Sequence, residues 1–120
     1  CNRKRDVDIV GKSLKKHGFN AGVLHGDMTQ SARTEMLEKF KAGEVTILVA
    51  SDVAARGIDV AMLSHVFNFD VPIHAEDYVH RIGRTGRAGA SGVALSLVCA
   101  DEISQLNAIE KLIKKKNYIF

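Results

Sequence analysis

The chain has 120 residues, 46% of them hydrophobic, with a formal net charge of +3 at pH 7 and a pI near 9.0. That is enough for one domain with a buried core, while no apolar run is long enough to span a membrane. No secretory pattern opens the chain, its two cysteines lack metal-ligand spacing, and the mild basic excess permits nucleic-acid binding without requiring it.

Taken in order, apolar runs alternate with amphipathic stretches, the pattern of βαβ units around a mainly parallel sheet. Lys4 to His17 reads as a helix with Val7, Val10 and Leu14 on one face, ended by Gly18. Ala21 to Leu24 is a short strand. Thr29 opens a helix running to about Ala42, with Met36, Leu37 and Phe40 inward and Gly43 as its stop. Thr46 to Ala50 is a strand of near-continuous apolar character, as expected where both faces of a sheet are covered, and a loop follows it. His65 to Asn68 is another strand, and Pro72 lies in the loop beyond it. Ala75 to about Arg81 reads as helix and Gly92 to Val98 as strand. Asp101 to Lys116 is a terminal helix with Ile103, Leu106, Ile109, Leu112 and Ile113 as its buried stripe. Cys99, in an apolar strand-like run, is expected to be a buried thiol, and thiols of this kind suit a reducing cytoplasm. Gly11-Lys12-Ser13 is no phosphate loop: the spacing needs a glycine at position 6, which is Asp6, and the triplet falls inside a helix.

The most informative run is Tyr78-Val79-His80-Arg81-Ile82-Gly83-Arg84-Thr85-Gly86-Arg87-Ala88-Gly89. Arginines three residues apart, separated by glycines, offer rigid donor forks that fit phosphate oxygens two at a time. Such cations repel one another unless an anion or carboxylates lie between them, so the run reads as a polyphosphate clamp. A solvated Arg/Gly surface loop is the plainer alternative. A second unusual segment stands upstream, Ile47-Leu48-Val49-Ala50-Ser51-Asp52-Val53-Ala54-Ala55-Arg56-Gly57-Ile58-Asp59-Val60, where a strand runs into a polar pair, an Arg-Gly and an acidic residue.

Together with His25-Gly26-Asp27, Gln30-Ser31-Ala32-Arg33 and the opening Cys1-Asn2-Arg3-Lys4, these segments closely resemble the C-terminal RecA-like domain of DEAD-box ATP-dependent RNA helicases. The resemblance covers nearly the whole chain, residues 1–120 as one helicase C-terminal domain. It implies an α/β fold, a RecA-like three-layer sandwich with a mainly parallel sheet flanked by helices. Relatives carry an apolar strand ending at the position of Cys1, so the first strand is expected to be truncated here, with an uncovered sheet edge.

The resemblance also implies roles. Arg84 and Arg87 match arginine fingers that reach ATP phosphates, and Asp59, beside Gly57, matches the residue that accepts hydrogen bonds from the ribose. ATP and Mg²⁺ would be held mainly by a first, N-terminal RecA-like lobe that this sequence does not include. Arg56, His80, Arg81 and Gln30 match organising or interlobe positions, with Gln30 expected to bridge to His80. Arg33, Gly26, Asp27 and Ser51 match contacts to single-stranded RNA bound largely without sequence preference. Ser51 stands where threonine is common and keeps the hydroxyl. Arg3 also replaces a common threonine, while Lys4 supplies the basic residue after it. No residue is assigned to a metal, and no membrane is implied. By itself the chain is expected neither to hydrolyse ATP nor to unwind duplex. Two other readings stay open: a non-catalytic RNA or protein interaction module, and the matching lobe of a DNA helicase, although such relatives usually lead the arginine motif with glutamine, where His80 stands here.

Overall fold

Glycine-bounded apolar runs fold into alternating helices and strands, close to the predicted limits. The computed structural model describes residues 1–55, 63–83 and 92–113, which fall in two units, Cys1–Ala61 and Met62–Phe120.

The first unit contains α1 (Lys4–Lys16), β1 (Ala21–Leu24), α2 (Gln30–Lys41), β2 (Ile47–Ala50) and a short helix α3 (Asp52–Ala55). α1 ends at His17, and Gly18 follows at φ 86°, in the left-handed region that side chains disfavour. Gly43 closes α2 in the same way, at φ 80°. At the other end of α2, the Thr29 hydroxyl caps the helix by accepting the Ala32 N–H at 3.1 Å. β1 and β2 are parallel, in register from Ala21 opposite Ile47 to Leu24 opposite Ala50. A Cβ on Gly11 of α1 would collide with Val23, and one on Gly22 would collide with Met36 of α2. Val23 and Gly22 are neighbours in one strand and so present opposite faces. α1 and α2 therefore cover opposite sides of the strand pair, and the unit has three layers.

In the second unit β3 (His65–Asn68) pairs in parallel with β4 (Val93–Ser96), His65 opposite Val93 and Asn68 opposite Ser96. α4 (Ala75–Ile82) lies between them in sequence, and a 3₁₀ turn (Ala100–Glu102) leads into α5 (Ile103–Ile113). Val71, Tyr78 and Ile109 form the core, with Ala75, Ile82 and Ile113 packed around it. Ile109 is 1% exposed. Ile109→Ala should therefore cost about 2–5 kcal/mol of stability, a transfer loss plus an unfilled cavity; a urea titration showing under 1 kcal/mol would contradict this packing.

Three expectations need correction. β4 stops at Ser96 rather than Val98, so Cys99 is exposed instead of buried. Leu97 N–H still bonds to the Asn68 carbonyl, after which the chain leaves the ladder for the 3₁₀ turn. Within the expected stripe of the last helix, Ile103 and Leu112 are 48% and 46% exposed, and Ile109 carries the burial. α3 forms where only a loop was expected, because Ser51 supplies a cap, as described below. Among the described residues no helix is long and apolar enough to cross a membrane.

Candidate functional site

In parallel α/β units, ligand-binding groups collect beyond the carboxyl ends of strands. The first unit does this. β1 runs into His25, Gly26 and Asp27, and β2 runs into Ser51, whose N–H bonds to the Leu24 carbonyl at 3.3 Å. The amino group of Cys1 donates to the Ala50 carbonyl at 3.0 Å, which brings Arg3 and Lys4 to the same edge. Lys4 Nζ lies 2.9 Å from Asp27 Oδ1, with both side chains well exposed. This hydrogen bond holds the Asp27 carboxyl below its ordinary value, with slight burial opposing and the Lys4 charge assisting. Arg3 instead pairs with Asp6 at 3.2 Å, which leaves it at the mouth of α1.

His25 is buried and organises the turn. Its Nδ1 accepts the Asp27 N–H at 3.2 Å, so the proton of the neutral ring sits on Nε2, 3.0 Å from Asp8 Oδ1. The ring thus joins the turn after β1 to α1. Ser51 is also buried, and its Oγ accepts the Ala54 N–H at 3.4 Å, capping α3. Arg33, in the first turns of α2, donates from Nη2 to Gln30 Oε1 at 2.8 Å. Its buried Nε has no hydrogen-bond partner among the described residues. Gln30 thereby orients the guanidinium, a pairing that the Gln-x-x-Arg spacing within one helix turn allows. All six residues expected to contact RNA therefore lie in this unit, and Lys4, Gly26, Asp27 and Ser51 meet at one strand edge.

The second unit carries Arg81, the arginine expected to have an organising role. Arg81 Nη1 donates to the Asp70 carbonyl at 2.6 Å and reaches Asn68 Oδ1 at 3.4 Å, while Nη2 lies 3.3 Å from Asp70 Oδ1. The Arg81 and Asp70 side chains are 9% and 18% exposed, so the pair is largely withdrawn from water. Asn68, 1% exposed, donates from Nδ2 to Ser96 Oγ at 3.0 Å. His80, by contrast, is exposed, in a shallow hollow of about 430 Å³ that it shares with Glu76, Val79, Leu112 and Ile113. The expected roles of Arg56, Gly57, Asp59, Arg84 and Arg87 fall outside the described residues.

Two residues that sequence reading missed complete this network. Asn68 looked like the end of an apolar strand, and only its burial shows that it links β4 to Arg81. Glu102 accepts the Cys99 N–H at 2.9 Å through Oε1 and the Val71 N–H at 3.0 Å through Oε2. The Cys99-x-x-Glu102 spacing is that of a capping box, obscured because cysteine is an uncommon cap. The Cys99 bond, with the Val71 bond behind it, holds the Glu102 carboxyl below its ordinary 4.5 against the opposing effect of burial. A depressed carboxyl contributes stability that is full above its unfolded value and lost as pH falls through the folded one. Amide protection at Val71 and Cys99 should thus be full at pH 6, begin to weaken as pH falls below 4.5, and be lost only once the carboxyl protonates at its lower folded value; protection that survives full protonation of Glu102 would refute the clip.

Cys99, Asp101 and Glu102 place possible ligand atoms within 4.8 Å of one another, yet they do not fit a magnesium site. Both Glu102 oxygens already accept backbone N–H groups, and Mg²⁺ prefers oxygen ligands to a thiol. The negative charge of Glu102 also raises the thiol's pKa, which keeps it protonated.

A parallel strand pair covered on both faces, with polar groups gathered at its carboxyl edge, is an α/β arrangement of the RecA-like kind, and its likeness to solved DEAD-box proteins makes it the helicase type. The helicase conserved C-terminal domain matches residues 1–89, and the chain belongs to that family, in its DEAD-box branch. It is 52% identical over 113 residues to the DEAD-box ATP-dependent RNA helicase CshA of Geobacillus kaustophilus, covering 94% of this chain and 24% of that protein. For CshA of Bacillus subtilis the identity is 51%, with 23% of that protein covered. The chain thus spans about a quarter of the length of the curated relatives it matches. Among solved structures, the Escherichia coli DEAD-box protein SrmB, bound to the ribonuclease regulator RraA, superposes with a TM-score of 0.91 at 41% identity, over 99% of this chain and 72% of that one. Saccharomyces cerevisiae Dbp5, bound to RNA and ADP BeF3, gives a TM-score of 0.88 at 33% identity, over 98% of this chain and 32% of that one.

Proposed function

We propose that this chain, as one domain over residues 1–120, is the C-terminal lobe of an ATP-dependent RNA helicase. It would act with an N-terminal RecA-like lobe that holds ATP and Mg²⁺. The observation that carries this reading is the anchoring of Arg81 by Asn68 and Asp70, which fixes the helix leading into Arg84 and Arg87. In this role Arg84 and Arg87 are the phosphate fingers, and Asp59, beside Gly57, meets the ribose. Arg56 and His80 serve the interface with the other lobe, and Gln30 orients Arg33.

RNA would lie along the edge formed by Arg3, Lys4, Gly26, Asp27, Arg33 and Ser51, held through phosphate and sugar and hence with little sequence preference. The unsatisfied N–H of Arg33 supports this, since a buried donor without a partner costs free energy. Dbp5, a structural neighbour, is known bound to RNA and ADP BeF3. A reducing cytoplasm suits the two free thiols.

The deciding experiment is RNA-stimulated ATP hydrolysis by this chain joined to a DEAD-box first lobe. A joined protein that binds RNA yet hydrolyses nothing would overturn the motor reading in favour of a binding module. Binding that ignores the 2′-hydroxyl would favour a DNA helicase lobe instead. Asp27→Asn should tighten single-stranded RNA roughly twofold or more, because it frees Lys4 and removes a carboxylate from the phosphate track. Weaker binding in a fluorescence anisotropy titration would show that Asp27 contributes more by its own contact to the RNA than it costs by occupying Lys4.

A further inference from the structure

We infer that Glu102 is a positioning residue for the arginine motif, acting through the segment between β3 and α4; this rests on the function proposed above. Glu102 joins two places distant in sequence. One carboxylate oxygen accepts the N–H of Cys99 at the entrance to the last helix, and the other accepts the N–H of Val71 just beyond β3. Val71 follows Asp70, whose carbonyl and carboxylate both hold the Arg81 guanidinium. Arg81 sits in the last turn of α4, and Arg84 follows it by three residues.

The chain of contacts therefore runs from α5 through Glu102 to residues 70 and 71, and from there through Arg81 to the end of α4. Each joint uses a charged group, and such hydrogen bonds are roughly twice as strong as neutral ones. Asn68 holds the same guanidinium from the strand side, and Ser96 steadies Asn68. Arg81 is thus gripped from β3 and from the loop after it, and Glu102 joins the core packing of Val71 in setting where that loop lies. Without the clip, Asp70 can shift with Val71, and the end of α4 shifts with it. Oriented arginines lose catalytic effect quickly when displaced, about a hundredfold for a displacement near 1 Å.

Glu102→Gln tests this with little change of shape. A glutamine oxygen can accept one of the two N–H groups, but its amide nitrogen meets the other donor to donor. In the chain itself, hydrogen exchange should quicken at Val71, at Cys99 and along α4, while α1, α2 and β1 keep their protection. Unchanged exchange at Val71 and α4 would overturn the inference whatever the enzyme does. Faster exchange throughout both units would overturn it too, marking Glu102 as a general support of the fold. If Glu102→Gln fails to fold, Glu102→Asp keeps the charge but is too short to reach both donors, and the same pattern is read from it.

In the protein joined to a first lobe, kcat for ATP should fall roughly ten- to hundredfold. Affinity for single-stranded RNA should stay within twofold of wild type, since the RNA-facing residues lie in the other unit. A parallel loss of RNA binding would again indicate a fold-wide effect and sink the positioning role, as would an unchanged kcat. A joined wild type without turnover counts against the proposed function, and the exchange pattern still decides the part played by Glu102.

Discussion

Replacing either Arg84 or Arg87 by alanine should remove RNA-stimulated ATP hydrolysis from the joined protein, by roughly three to five powers of ten for a true arginine finger. The reason lies in the reaction. Charge spreads over the phosphoryl oxygens as the transferred group leaves, and a guanidinium placed there stabilises the transition state more than bound ATP. Lysine at either position should recover little, because an ammonium keeps the charge without the planar fork. The variants should keep their RNA affinity, since the proposed function gives both residues to ATP and neither to RNA. Turnover within threefold of wild type in both variants would leave the motif as a surface loop, and the phosphate-clamp reading would fail.

Arg81→Ala should act differently, by weakening the fold of the second unit before it affects chemistry. The Arg81 side chain is 9% exposed, and its guanidinium meets Asp70 and Asn68 through three contacts of 2.6–3.4 Å. Removing one partner of a buried ion pair costs about 3 kcal/mol, the low end for such sites because Asp70 keeps some access to water. Arg81→Lys should restore the charge but not the simultaneous contacts, giving intermediate stability. Chemical denaturation followed by circular dichroism measures this. A loss below 0.5 kcal/mol, the range of an exposed pair, would show that the buried network contributes little.

The contrast between these arginines illustrates what could be read from residues alone. Arg81, Arg84 and Arg87 share one motif and one spacing, so the sequence marks all of them alike as cations three residues apart with a glycine between each pair. Nothing in the spacing says that Arg81 is turned inward onto Asp70, a partner 11 residues earlier across a strand end. That assignment required α4 to be packed against β3. Cys99 taught the opposite lesson. Its apolar neighbours predicted burial, yet the strand ends at Ser96, because the ladder ends where its partner β3 ends at Asn68. Asn68 and Glu102 were invisible as functional residues, since a polar group's importance depends on burial and on partners 28 and 31 residues away.

The sequence by itself determined the alternation of helices and strands and the places where helices stop. It did so because hydrophobic period, left-handed glycines and a threonine cap act over a few neighbouring residues. It also determined the family, through motifs whose order and residue types survive without any coordinates. The tertiary structure alone decided that α1 and α2 take opposite faces of β1, through the close approaches at Gly11 and Gly22. It alone paired Lys4 with Asp27, gave His25 to Asp8, and tied Val71 to Cys99 through Glu102. Each of these joins groups 17 to 31 residues apart, and such distances close only when the chain has folded.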